Sequence, residues 1–284
     1  MSQRRPDGPP PAPVVQRVRV RYAKRGRLRF TSHRDFARAF ERALRRAGVP
    51  MAYSAGFTPH PKISYLGAAP TGVASEAEYL EIGLAAPVPP EELRETLDAV
   101  LPAGLDVVEC VEAGPGALAD RIDASLWRIV LAGLTSEACA AAVAAFLAAD
   151  RVEVERLTKD GRRALDARGA VVTAAVSDAM LTSTDSPTGA SPSAGRGTPA
   201  PCAIIDVVVR QVTPAVRPDD VLAALRTVAG LEPPVPPKAT RLAQGLLDGL
   251  GRLADPLGPD RTVALAARGS MPGAVGGSPK VLPA

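Results

Sequence analysis

"QRVRVRYAKRGRLRFTSHRDFARAFERALRRAGVP", residues 16–50, changes period part-way through, and that change sets the architecture. Over 16–24 the residues alternate. Val18, Val20 and Tyr22 fall on one face, and Arg17, Arg19 and Arg21 on the other. This predicts a half-buried strand with a cationic outer face. Gly26 predicts a turn, after which Leu28 and Phe30 keep the strand phase. From residue 36 the period becomes helical: Phe36, Ala39, Phe40, Ala43, Leu44 and Ala47 share one face. Ser32 is a good N-cap, with Asp35 three residues on to complete a capping-box-like start, and Gly48 followed by Pro50 is a stop. Arg34, Arg38, Arg42 and Arg45 form a second stripe, roughly opposite the apolar one.

Working outward, the chain continues as short strands in "KISYL" and "EYLEIGL", a helix over 89–102 and a strand over 104–113. The order β-α-β-β-α-β predicts a ferredoxin-like unit over 15–115. A second pass begins at "ASLWRIVLAG" (124–133), a strand, and a capped helix over 135–150. A hairpin around Asp160-Gly161 (152–172), a buried strand over 202–211, a helix over 217–230 and a weakly marked strand within 235–247 follow. The expected fold is therefore α+β: tandem ferredoxin-like (βαββαβ) units, the second over 122–247. Disorder is expected in a Pro-rich leader (1–14), in a Ser/Thr/Gly/Pro-rich insertion (177–201) and in a low-complexity tail (248–284).

Net charge is +4, but its distribution is uneven. Residues 16–46 hold 12 Lys/Arg against Asp35 and Glu41, while residues 76–123 hold 12 Asp/Glu against Arg94 and Arg121. One basic lobe or face and one acidic one are expected, the basic one suited to a polyanion. A solvated face in an arginine-rich composition accounts for the same excess. Glu76, Glu78 and Glu81 read as a solvated strand edge or a docking face for a basic partner, since no histidine lies near them for a metal site. Three dispersed cysteines, Cys110, Cys139 and Cys202, argue for a reducing compartment, against a disulfide framework or metal cluster, and for three small buried residues. No secretory leader or membrane-spanning run is visible, so a cytoplasmic protein is expected. P-loop, dinucleotide-binding, zinc-protease and nucleophile-elbow motifs are absent, and no cofactor or metal is expected.

Residues 25–65 collect both histidines and much of the scarce aromatic content. His33, in the first helical turn, is a packed or capping residue, or else a base beside a helix N-terminus that disfavours its charged form. His60 stands between Pro59 and Pro61, which stiffen its loop. Such a loop presents His60, Lys62 and Phe57 in fixed geometry, with Tyr53 and Tyr65 as further rings, the kind of surface that single-stranded RNA stacks on. It is equally a rigid structural cover for the sheet. On the RNA reading, Arg17, Arg19, Arg21, Arg34, Arg38, Arg42 and Arg45 meet phosphates, while Tyr53, Phe57, His60 and Lys62 meet bases or a partner. The alternative from another class is a metal-independent RNA endonuclease, with His33, His60 and Lys62 as catalytic candidates. A third is a protein-docking subunit without RNA contact.

Residues 27–84, above all "RFTSHRD", "YSAGFTPHPKIS" and "GVASEAEYLEI", resemble the bacterial radical-SAM-linked protein family, a domain of unknown function. The resemblance extends through "SLWRIVLAG", "LTKDGRRALDAR" and "VTPAVRPDDVLAAL", covering most of residues 16–245. It implies a radical SAM protein as partner, in the fused members a cobalamin-binding one, and a ribonuclease E/G encoded nearby as a further one. No catalytic role follows from it. The chain lacks a CxxxCxxC cluster motif, so the radical chemistry belongs to the separate partner. A more distant likeness, at the level of fold, is to the RAMP-type proteins that process CRISPR repeat RNA, which also carry tandem ferredoxin-like units.

Overall fold

A computed structural model describes residues 11–158, 161–178 and 201–269. The first unit runs β1 (Gln16–Lys24), α1 (His33–Arg46), β2 (Ile63–Tyr65), β3 (Ala74–Leu84), α2 (Pro90–Val100) and β4 (Leu105–Glu112). The second runs β5 (Ala124–Ala132), α3 (Ser136–Ala148), the hairpin β6 (Glu153–Thr158) and β7 (Gly161–Asp166), β8 (Val171–Asp178), β9 (Cys202–Arg210), α4 (Pro218–Ala229) and β10 (Lys238–Gly245). Each unit has the ferredoxin-like strand arrangement, antiparallel throughout: β4-β1-β3-β2 in the first and β10-β5-β9-β8 in the second. A parallel pairing of Thr240 and Arg241 with Ala74 and Ser75 joins the two into one eight-stranded sheet.

Period decides which face each residue takes. Val18, Val20 and Tyr22 of β1, with Leu80, Ile82 and Leu84 of β3, pack beneath Phe36, Phe40 and Leu44 of α1 and Leu93 and Leu97 of α2. In the second unit Trp127, Ile129 and Leu131 of β5 and Ile205, Val207 and Val209 of β9 pack beneath α3 and α4. Each buried Phe or Leu contributes about 1.5–3 kcal/mol of transfer free energy. All three cysteines are buried and none is in a disulfide, and burial pushes the Cys110 thiol up to about 12. Some expectations need correction. After Gly26, which takes a left-handed φ of 53°, residues Gly26–Phe30 form a 3-10 turn rather than a continued strand, leaving Phe30 exposed. The strand that completes the second unit is β8, not the hairpin, which stands apart as a two-stranded sheet. Ser177 and Asp178, assigned to the insertion, end β8; residues 179–200 lie outside the described residues, as do 1–10 of the leader and 270–284 of the tail.

The largest correction concerns the arginines of β1. Arg17 is exposed, but their face is covered where Arg19 lies. Arg19 is only 1% exposed, and its guanidinium donates to Asp260 at 2.7 and 2.9 Å, to Glu81 at 3.0 Å and to the carbonyls of Gly114 and Gly116. Asp260 belongs to α5 (Gly258–Gly269), inside the segment read as a low-complexity tail. It also accepts from Arg121 and from the Gly114 N–H, both at 2.9 Å. Leu257, fully buried, meets Tyr79, Leu118 and Ile122 beside it. At the exit of β10 a Cβ on Gly245 would stand 1.9 Å from the Ala254 carbonyl oxygen, so only glycine admits this return of the chain. The acidic and basic segments are likewise not separate lobes. They are neighbouring strands: Arg17 and Arg19 pair with Glu81, Arg25 with Glu76 and Asp106, and Arg21 donates to the Glu76 carbonyl.

Breaking one side of a buried charge pair strands the other without water, at a cost of about 3–5 kcal/mol. Asp260→Ala is therefore expected to lower the free energy of unfolding by that amount in a denaturant titration. Arg17→Ala, whose side chain is 57% exposed, should cost less than about 1 kcal/mol.

Candidate nucleic-acid interface

With the strand arginines engaged by groups of the same chain, a row of exposed positive charge remains on α1. Ser32 caps the helix, its Oγ accepting from the Asp35 N–H at 3.2 Å, and Gly48 ends it with a φ of 65°. Phe36, Phe40, Ala43 and Leu44 occupy the inward stripe, which turns Arg34, Arg38, Arg42, Arg45 and Arg46 outward, all exposed. Among the described residues carboxylates approach two of these, Asp35 to Arg38 and Glu41 to Arg45, each at 4.0 Å. At such distances between exposed groups the attraction is weak. Beyond the helix N-terminus Arg27 is exposed, and the Arg29 guanidinium sits 4.4 Å over the exposed ring of Phe30. An arginine stacked on an open aromatic face is a platform for a base. Arg27, Arg29, Phe30 and Arg46 were missed at the sequence level, since a strand phase through Phe30 hides the turn that exposes them.

His33 stands in the first turn of α1, with its ring edge-on to Tyr65 at 5.0 Å. Tyr65 also contacts Phe36, and its hydroxyl is buried with no hydrogen-bond partner among the described residues. Burial, with Glu41 nearby, pushes that hydroxyl up to about 12.

The remaining candidates gather elsewhere. His60 and Lys62 line a cavity of about 290 Å³ with Arg17, Ser54, Glu81 and Gly83. The loop is braced as its prolines suggest: the Ser54 N–H donates to the His60 carbonyl at 2.9 Å, and the His60 N–H to Ser54 Oγ at 3.0 Å. Arg17, Glu81 and Gly83 share the sheet face opposite the one α1 covers. The structure thus separates the candidates. Arg34, Arg38, Arg42 and Arg45 lie with His33 on the helix side, and His60, Lys62 and Arg17 on the other. Arg19 is sealed in the interior and Arg21 is half-buried. Tyr53 and Phe57 project from the loop, at 38% and 74% exposure. Since His33 and His60 lie across the sheet from one another, they do not converge on one bond. Among the described residues no group of three or more His, Cys, Asp or Glu side chains is placed to hold a metal ion, and no helix is long and apolar enough to cross a membrane.

Residues 17–218 match the family described as an uncharacterized protein conserved in bacteria, DUF2344. The chain belongs to this family. The matched span begins at Arg17 of β1 and ends at Pro218, the first residue of α4, so α1 and the His60 loop of this DUF2344 member lie within it, and Arg241 and Asp260 beyond it. No curated protein matches the chain.

Tyr65→Phe removes an unpartnered buried hydroxyl and is expected to raise stability by about 1 kcal/mol at pH 7. Tyr65 and Tyr79 are both held near 12, above their unfolded value of 10.0, so the stability they contribute is fully present below pH 10 and is lost as pH rises from 10 toward 12. Unfolding at pH 7 and pH 11 checks both points. The phenylalanine variant should lose less stability than the parent between those pH values, and a variant less stable at pH 7 would mean that the hydroxyl has a partner.

Proposed function

We propose that this protein is an RNA-binding accessory protein that holds an RNA on the outward face of α1 and presents it to a separate enzyme. The observation that carries the reading is the contrast between two sets of arginines adjacent in sequence. Those of β1 are engaged by carboxylates and carbonyls of the same chain, Arg19 in the interior and Arg17 at the surface, whereas Arg27, Arg34, Arg42 and Arg46 form no ion pair among the described residues. Arg34 to Arg46 covers about 18 Å of helix axis, or about five base steps at 3.4 Å each along one strand. The Arg29–Phe30 platform at the end of this row supplies a stacking surface of the kind unpaired bases use. His60, Lys62 and the β1 arginines are left out of this interface.

The partner that fits the radical-SAM-linked resemblance is a radical SAM protein, with a ribonuclease E/G as a further candidate, a tRNA or rRNA as the RNA and the cytoplasm as the place. Tandem ferredoxin-like units agree with the RAMP-type likeness at the level of fold, which assigns no activity. Chemistry stays with the partner in this account, because the two histidines do not share a site. An acidic docking face is a weaker reading, since Glu76, Glu78, Glu81, Asp106 and Glu109 are engaged by arginines of the same chain.

Binding to a short unstructured RNA should weaken with salt, log K falling against log[salt] with a slope of about −3 to −4 if five arginines meet phosphates. Arg38→Glu with Arg42→Glu should lower affinity more than about tenfold at low salt and flatten the slope by one to two. Binding indifferent to salt and to these substitutions removes the proposal, as does co-purification of a protein partner, after ribonuclease treatment, by a chain that binds no RNA.

A further inference from the structure

Where the two units meet, a cavity of about 460 Å³ opens on the helix-bearing side of the sheet. Its floor is made of strand residues from the second unit, Ser125 and Trp127 of β5, Val209 of β9 and Arg241 of β10. One wall is the loop between β2 and β3, at Gly67, Ala68 and Pro70; the other is the loop between β9 and α4, which carries Arg210 and Arg217. Neither unit forms the cavity alone, and its volume lies in the range of small-ligand sites.

The chemistry of the lining is one-sided. None of its residues is acidic. Arg241 is buried, paired with Glu78 and stacked 5.3 Å from the Trp127 ring centroid, so its charge is spent on holding the seam. Arg210 and Arg217 are exposed and form no ion pair among the described residues. Arg217 is the N-cap residue of α4, its own N–H donating to the Asp220 carboxylate at 2.7 Å, so its guanidinium rather than the helix terminus is what an anion would meet. A further observation is independent of these charges. Ser125 is 5% exposed, lines the cavity, and its hydroxyl makes no hydrogen bond to the described residues. The hydroxyl of an otherwise buried residue that opens on a cavity pairs with whatever occupies it.

We propose that the cavity binds one nucleoside monophosphate unit, its phosphate held by Arg210 and Arg217 and its base or sugar against Ser125 and the apolar edge of Trp127. The unit comes as a free nucleotide or as the 5′ end of an RNA. The latter source rests on the RNA-binding reading, and the structure offers it a route: the loop that walls the cavity also touches the Arg29–Phe30 platform. The Gly72 N–H donates to the Arg29 carbonyl at 2.8 Å, and a Cβ on Gly72 would lie 3.8 Å from the Phe30 ring.

Trp127 is the single tryptophan of the chain, so its fluorescence reports on this cavity alone. Full-length protein is titrated with AMP, GMP, CMP and UMP, with uncharged adenosine, and with 5′-phosphorylated and 5′-hydroxyl oligoribonucleotides. At least one nucleotide should produce a saturable change that adenosine does not, weakened at least tenfold in Arg217→Gln and further with Arg210→Gln added. Both arginines are exposed, and an unchanged unfolding midpoint verifies that the variants fold. Competition by the 5′-phosphorylated oligonucleotide alone identifies an RNA end as the source; competition by neither oligonucleotide identifies a free nucleotide. The inference is overturned if no nucleotide gives a saturable change, or if the double variant binds as the parent does. Failure of the RNA reading looks different: RNA binding would be absent or insensitive to Arg38→Glu/Arg42→Glu while the nucleotide titration persists.

Discussion

A guanidinium closed off from water must be met by carboxylate or carbonyl oxygens, and Arg19 shapes this protein through that requirement. Its position in β1 is fixed by alternation, because Val18 and Val20 must face the helices. The charge then falls on the far side of the sheet, where Asp260 reaches it from 241 residues away, joined by Glu81 and two carbonyls. Burial of an ion pair is costly unless every hydrogen-bonding position is filled, and here Arg121 and the Gly114 N–H fill the remaining positions on Asp260. Helix α5 is thereby held against the first unit, and the part of that face around Arg19 is closed. The outward side of α1 stays open.

The same logic governs the seam. The strands of the two units pair at two parallel positions, Thr240 with Ala74 and Arg241 with Ser75. Arg241 reinforces them by donating to Glu78 and Ser75 of the first unit and to Gln244 of its own strand, while lying over Trp127 of the second. Glu78 in turn accepts from the Ala69 N–H at 3.1 Å, which holds the wall of the seam cavity in place. The cavity is therefore a product of how the units are joined.

Local signals carried much of this into the sequence. The cap at Ser32, the stop at Gly48 and the apolar stripe of α1 are interactions among neighbours, and signals of this kind gave the element order of the first unit. The outward set Arg34, Arg38, Arg42 and Arg45 was legible for the same reason. Alternation in β1, however, states only that the arginines share a face. It is the same pattern whether water or α5 covers that face, and Asp260 sits in a Gly/Pro/Ala-rich stretch with no signal pointing to β1. The strand β8, "VVTAAVSD", was hidden because its small residues blend into the Ser/Thr-rich run that follows. The side on which His60 emerges depends on the pairing of β2 with β3, a register that three residues of sequence do not specify.

The central claim is that the charge of β1 is structural and the charge of α1 is available to a polyanion. Hydrogen–deuterium exchange on the full chain, with and without a saturating short RNA at low salt, tests it most directly. Slowed exchange should appear over residues 26–46, with no change over β1 or residues 53–62. Slowing confined to residues 53–62, or no change along α1 while RNA is bound, would contradict the account.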